Sequence, residues 1–255
     1  IGFNALIEKG SKRYMDRMSK WIDIALEEGI RFFVTSLGKP DWVCKRVHEA
    51  DGFVYHDVTT RLWAQKGQDN GVDGLICVNN RAGGHLGNYS MENMYNDIAD
   101  LGLPMICAGG IGNEVELKRA INLGYQGVQM GTRFIATNEC NTSEDYKAAI
   151  IQASEEDIVM TKKMTGVPIS VIKSKYYKED NPWFIQKLLQ GRFKHTIRML
   201  LNLNSFIRLK YLSKGKFKNK DKKKQYYSAG KSVDTVKNIQ SATDIMRTLG
   251  ASLIN

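Results

Sequence analysis

Residues 104–129 read PMICAGGIGNEVELKRAINLGYQGVQ, and this stretch decides the fold. It contains a short apolar run, a glycine turn, an amphipathic segment, a further glycine and a second short run. Between Asn113 and Leu123, the residues Val115, Leu117, Ala120, Ile121 and Leu123 form one apolar face. Asn113 is placed to cap the first turn, Glu114 and Glu116 suit its exposed backbone N–H groups, and Gly124 stops the helix. The pattern predicts strand, helix, strand.

The same rhythm runs outward from there. Ile1–Leu6, Arg31–Ser36, Phe53–Val58, Gly74–Asn79, Pro104–Gly109 and Gly127–Thr132 are short runs, mostly rich in Val, Ile, Phe and Met. Each is followed by a segment of helical character, and the one over 12–28 ends at Gly29. Strands that are continuously apolar are buried on both faces, as in a parallel sheet covered by helices; an antiparallel sheet with one wet face shows alternation instead. Six such units are visible, whereas a closed barrel of this kind has eight. The expected fold is therefore α/β, a TIM-type (β/α)8 barrel. The chain opens on Ile1-Gly2-Phe3-Asn4 with an apolar run already under way, so the first two strands are expected to be missing from this sequence. An open doubly wound sheet is the alternative.

After Phe134 the rhythm changes. Ser143–Ala153 reads as a helix, 162–173 as an extended link containing Pro168, and 181–212 as mixed basic and apolar helix. Residues 214–224 form a low-complexity basic stretch. Ser241–Leu249 reads as a closing helix, with Ala242, Ile245, Met246 and Leu249 at helical spacing. The expected organisation is a barrel over 1–172, a basic helical insertion or lid over 173–225, and a C-terminal segment over 226–255 that returns to the barrel.

Composition narrows the classes. Hydrophobic residues make up 42% and charged residues 25%, close to the average for soluble globular proteins, and no run approaches the roughly 18 apolar residues of a membrane span. A cytoplasmic protein is expected. Cys44, Cys77, Cys107 and Cys140 are widely spaced without a CxxC pair, which fits reduced thiols. The formal net charge of +10 is regional: Lys187 to Lys224 holds 13 Lys and Arg against Asp221 alone, leaving about −2 for the remainder. Such a stretch could attract an acidic carrier protein, a pyridine nucleotide or nucleic acid, or it could be a solvated surface segment. Its aromatic residues are scattered, which argues against a stacking platform for single strands.

Catalytic groups of a parallel barrel sit at the C-terminal ends of its strands, and phosphate commonly binds after the last two. Here those two ends carry Gly109-Gly110-Ile111-Gly112 and Gln129-Met130-Gly131-Thr132. Glycines let backbone N–H groups approach phosphate oxygens, the helix from Asn113 points its positive end the same way, and Thr132 adds a hydroxyl. Ala82-Gly83-Gly84-His85-Leu86-Gly87 follows the fourth strand. A histidine flanked by glycines has little local packing to hold it, and an imidazole suits proton abstraction or hydrogen bonding to an oxyanion at neutral pH. His56 lies near a strand end and reads equally as core or ligand-facing. His48 on a helix and His195 in the basic region read as solvated. No histidines and carboxylates have metal-ligand spacing, so no metal site is expected. Asn4, near the end of the first strand, could hydrogen-bond a heterocycle edge, though alone it reads as a turn residue.

Together these strand ends resemble the nitronate monooxygenase family, once called 2-nitropropane dioxygenases, and its relatives the FMN-dependent enoyl-acyl-carrier-protein reductases. The similarity runs from Ile1 to about Ile172 and resumes from Tyr227 to Leu249. GVDGLI (Gly71–Ile76), AGGH (Ala82–His85), PMICAGGI (Pro104–Ile111) and GVQMGTRFIAT (Gly127–Thr137) carry it. The resemblance implies a barrel holding FMN non-covalently. Asn4 would contact the flavin, Gly83 would line its face, and Gly110 with Gln129, Met130, Gly131 and Thr132 would hold the phosphate end. His85 would take a proton from a neutral nitroalkane or hydrogen-bond the bound nitronate, with O2 reoxidising the flavin. Two departures stand out. Val78 occupies the position where many members carry a flavin-contacting Gln, and the first barrel strand, which supplies backbone contacts to the flavin in the family, is absent.

Three functions follow from this reading. The first is FMN-dependent oxidation of nitronates or nitroalkanes by O2. The second is reduction of an enoyl thioester by NADH or NADPH on the same flavin site. The third is a non-catalytic module whose basic stretch binds nucleic acid with steep salt dependence.

Overall fold

The computed structural model of the chain describes residues 1–7, 12–162, 168–173 and 227–254. These fall into two compact units. One comprises Ile1–Arg81, Leu86–Met130 and Met246–Asn255; the other comprises Ala82–His85 and Gly131–Ile245. The stretch read as basic helix and low-complexity insertion, including His195, lies outside the described residues.

The first unit holds a six-stranded sheet: β1 (Gly2–Leu6), β2 (Phe32–Ser36), β3 (Phe53–Val58), β4 (Gly74–Val78), β5 (Met105–Ala108) and β6 (Gly127–Gln129). Every neighbouring pair is parallel, and the strands lie in sequence order without reversal. The helices α1 (Lys12–Glu27), α2 (Asp41–His48), α3 (Arg61–Asp69), α4 (Met91–Ile98) and α5 (Glu114–Leu123) occupy the crossovers. Right-handed crossovers between strands added always on the same side place all the helices on one face. A doubly wound sheet reverses direction at a switch point to cover both faces. The unbroken order is thus that of a TIM-type barrel, with six such strands among the described residues, and it rules out the doubly wound alternative.

The helix-forming signals act as read. Asn113 caps α5, its Oδ1 accepting the Glu116 N–H at 3.1 Å, and Gly124 ends it at φ +110°. A side chain at Gly124 would also collide with the Tyr95 phenol, 2.0 Å from an added Cβ. Gly29 closes the turn after α1 at φ +81°.

Register shows which face carries the helices. Ala5, Thr35, His56, Leu75 and Met105 form one lateral row, and Val58, Cys77 and Cys107 another on the same side of the sheet. All eight are nearly inaccessible. A Cβ on Gly67 of α3 would lie 3.6 Å from both His56 and Leu75, so this is the helix-covered face. Cys44, Cys77 and Cys107 are free and buried, and burial pushes each thiol up to about 12, leaving it a neutral apolar filler.

The second unit has its own core of Ala136, Ile150, Ala153, Ile172, Ala229, Val233 and Val236. Around it lie α6 (Thr132–Ile135), α7 (Glu144–Gln152), capped by Ser143, and an antiparallel ribbon of β7 (Ile158–Thr161) and β8 (Ile169–Ile172). The link expected over 162–173 is extended around Ile169–Ile172, but as a paired strand; its partner β7 lacks a strong alternating pattern and is missed by sequence. The last helix, α8, runs over Ala242–Ile254, longer than its apolar spacing indicated.

Candidate active site at the strand ends and the AGGH loop

In the first unit, the rows between those just described carry Asn4, Val34 and Tyr55; then Asp57, Ile76 and Ile106; then Val78, Ala108 and Gln129. Successive residues of a strand point to opposite faces. Asn4, Asp57, Val78 and Gln129 therefore share the face without helices, with Asn4 and Gln129 exposed. Two of the residues singled out from sequence are thus brought onto one face. Val78, on that face, offers only methyl groups where many family members carry Gln.

His56 belongs to the other face. Its Nδ1 lies 2.8 Å from the Thr35 hydroxyl, and burial lowers its pKa, favouring the neutral imidazole. The ligand-facing reading of His56 is corrected: strand alternation turns it into the helix layer, and its neighbour Asp57 faces the other way. Asp57 was missed by sequence reasoning, although a carboxylate inside an apolar strand was a usable signal. Its Oδ1 is enclosed without a hydrogen-bond partner among the described residues, and burial pushes the carboxyl up to about 6.

The glycine end of β5 has a left-handed backbone. Gly109 and Gly110 have φ of +118° and +80°, which side-chain-bearing residues rarely adopt. A Cβ on Gly110 would meet the Arg81 side chain, 2.7 Å from Nε. Asn79, fully buried, ties the ends of β4 and β5: its Nδ2 donates to the Gly109 carbonyl at 2.9 Å and its Oδ1 accepts the Arg81 N–H at 2.8 Å. The N-terminus of α5 is less open to an anion than expected. Glu116 accepts the Gly112 N–H through Oε2 at 2.8 Å, placing the chain's own carboxylate at that helix end. Gly109 is half-buried and Gly110 is buried, with the Arg81 side chain against it.

β6 also differs from its reading. The strand stops at Gln129, and Thr132 opens the helix α6, so Thr132 is a helix residue rather than a strand end. Met130 is half-buried, whereas Gly131 is exposed, and among the described residues nothing lies within 4 Å of a Cβ added to it.

In the second unit, the loop Ala82–His85 is firmly held. The Gly84 carbonyl accepts the Ser170 N–H at 2.8 Å, pairing the loop with β8, and Gly84 has φ +72°. Gly83 lies against backbone, for an added Cβ would be 2.8 Å from Gly230 N and 3.0 Å from the Ala229 carbonyl carbon. The Gly230 N–H in turn donates to Thr132 Oγ1 at 3.0 Å, and Ser228 Oγ donates to the Ser170 carbonyl at 3.2 Å. Residues 228–230 thus touch both the histidine loop and the start of α6. The expectation that His85 sits in a loop with little packing is corrected: its backbone is anchored, while its imidazole is exposed. Ser170 and residues 228–230 were invisible to sequence reasoning because they lie far along the chain.

These features define an α/β-barrel protein with an exposed histidine beside a glycine-rich, anchored loop. The family model described as nitronate monooxygenase matches residues 3–251, and the chain belongs to that family. A probable nitronate monooxygenase of Staphylococcus saprophyticus is 29% identical over 64% of this chain and 49% of its own length. An octahydroindene carboxyl-CoA dehydrogenase of Mycobacterium tuberculosis is 26% identical over 75% of this chain and 53% of its own. The chain therefore spans about half the length of these relatives. Among solved structures, FabK from Thermotoga maritima superimposes with a TM-score of 0.76 at 22% identity, covering 99% of this chain and 75% of that one. At that identity the likeness bears on the fold, and it agrees with the barrel topology. No helix among the described residues is long and apolar enough to cross a membrane.

Proposed function

We propose that the protein is an FMN-dependent oxidoreductase that oxidises nitronates or nitroalkanes with O2, with His85 as the base or hydrogen-bond donor. The observation that carries the reading is the exposed His85 imidazole on a loop whose backbone is fixed by Ser170 and by residues 229–230. A catalytic base must be held in place while remaining open to substrate, and this loop meets both needs.

The residues fit the cofactor. Gly109, half-buried and with a left-handed backbone, offers its peptide to phosphate oxygens, Gly110 beneath Arg81 shapes that turn, and Gly131 leaves open the volume a side chain would take. Thr132 Oγ1 accepts one hydrogen bond from Gly230 and keeps its own proton to donate. Asn4, Gly83, Gln129 and Met130 complete the proposed set. When bound, FMN would supply the two-electron oxidation and the reaction with O2. His85 removes the Cα proton of a neutral nitroalkane, or donates a hydrogen bond to an oxygen of a nitronate that has already lost it.

Gly131→Ala is expected to leave stability nearly unchanged, since the new methyl meets nothing, and to weaken FMN binding about tenfold if phosphate oxygens come that close. Thermal melting and flavin fluorescence titration read the two effects separately.

A second reading, a flavin reductase or dehydrogenase of acyl thioesters using NADH or NADPH, is favoured by the name of the Mycobacterium tuberculosis relative. The two separate in one experiment. The purified protein is scanned for a flavin spectrum, then mixed anaerobically with a nitronate and, separately, with NADH or NADPH. Bleaching by nitronate alone supports the first reading. Bleaching by nicotinamide alone overturns it in favour of the second.

A further inference from the structure

Among the described residues two carboxylates, Asp57 and Glu92, have an enclosed oxygen without a hydrogen-bond partner, and of these Glu92 is ion-paired with Arg119 at 2.6 Å. Asp57 has no such pairing among them. It lies one residue before the end of β3, on the face it shares with Asn4 and Gln129. Ile76 of β4 is its register partner, and Ser36 ends the strand on its other side. Neither is titratable. Tyr55, two residues earlier on the same face, packs edge-on to Phe32 and over Gly74. Burial alone accounts for the raised carboxyl, with no neighbouring charge contributing.

An enclosed carboxylate oxygen without a partner is costly, and among the described residues none hydrogen-bonds it. Asp73, by contrast, is fully employed, its Oδ2 accepting the Val54 N–H at 2.7 Å and meeting His48 Nε2 at 2.9 Å. Asp57 does nothing comparable for the sheet. Its position near a strand end, on the side away from the helices, is where a barrel meets its ligand.

We propose that Asp57 is a ligand-binding carboxylate of this face, its Oδ1 accepting an N–H or O–H of the bound flavin. The inference rests on the flavin reading above. A flavin offers suitable donors in its ring imide N–H and its ribityl hydroxyls. Binding then favours the ionised carboxylate, so a proton leaves Asp57 as flavin enters. In the flavin-free protein the folded-state value lies above the ordinary 3.8. The resulting penalty on stability is absent below about pH 4 and grows as the pH rises through about 6.

The test is Asp57→Asn, measured by FMN fluorescence titration from pH 5 to pH 7.5 and by melting of the flavin-free protein. In the native protein, FMN affinity should rise about tenfold over that range with a midpoint near 6, the strength of a hydrogen bond to a charged group. The variant should bind weakly and without that pH dependence. Flavin-free, it should melt about 2–4 °C above the native protein at pH 7.5 and level with it at pH 4. Equal FMN affinity of the two proteins at every pH would overturn the assignment while leaving the flavin reading intact. A variant that melts well below the native protein at pH 7.5, or fails to fold, also overturns it, by showing a structural role. Failure of the native protein to bind FMN at all overturns the flavin reading and this inference together.

Discussion

Replacing His85 with Asn is expected to leave flavin bound and to lower turnover of a neutral nitroalkane by about 10²–10⁴-fold, the usual contribution of a positioned base. The imidazole is exposed, so its removal opens no cavity, and the loop is anchored through Gly83 and Gly84, which the substitution does not touch. Asn keeps a hydrogen-bond donor at the same reach but cannot take up a proton. A nitronate generated beforehand has already lost that proton, so its oxidation should fall by about tenfold or less, the cost of one imperfect hydrogen bond. The measurement is oxygen uptake with the neutral and anionic forms of one compound, each with the native and variant proteins. A large gap between the two falls identifies the base. Equal falls would make His85 a binding residue only, and full activity on the neutral compound would remove it from the chemistry.

The sequence made the barrel legible because parallel strands buried on both sides leave an unmistakable trace. Runs such as Gly74–Val78 contain no polar residue, and the glycines and caps between them, Asn113 and Gly124 above all, act locally. Local signals also located the AGGH loop and the two glycine ends. What stayed hidden was anything set by partners distant in sequence. Ser170 and Gly230 hold the His85 loop from 85 and more positions away, and no spacing rule connects them. His56 and Asp57 show the limit at its smallest scale: one residue of register decides which of two adjacent polar side chains meets a threonine in the core and which faces away from the helices. The anion site expected at the start of α5 is closed by a nearer contact. The positive end of α5 is real, but Glu116 three residues into the helix already answers it.

The two loop glycines, alike in sequence, are expected to respond to substitution very differently. Gly84 has φ +72°, but among the described residues a methyl group there would find only Ser228 Oγ at 3.9 Å, so Gly84→Ala should cost about 1 kcal/mol of backbone strain. Gly83 has no left-handed φ to defend, yet its methyl would sit 2.8 Å from Gly230 N and 3.0 Å from the Ala229 carbonyl carbon. Both are backbone atoms, and they cannot yield alone. Moving Gly230 stretches its N–H bond to Thr132 Oγ1, and moving its neighbours disturbs the bond from Ser228 Oγ to the Ser170 carbonyl. Overpacking of this kind costs about 1–3 kcal/mol, and the absence of a flexible side chain to absorb it places Gly83→Ala at the upper end, a fall in melting temperature of about 6 °C or more. The loss should appear in flavin-free protein, because the contact is with the chain itself. A Gly83→Ala variant that melts normally without flavin and is impaired only in binding it would show instead that this glycine serves the cofactor and not the loop.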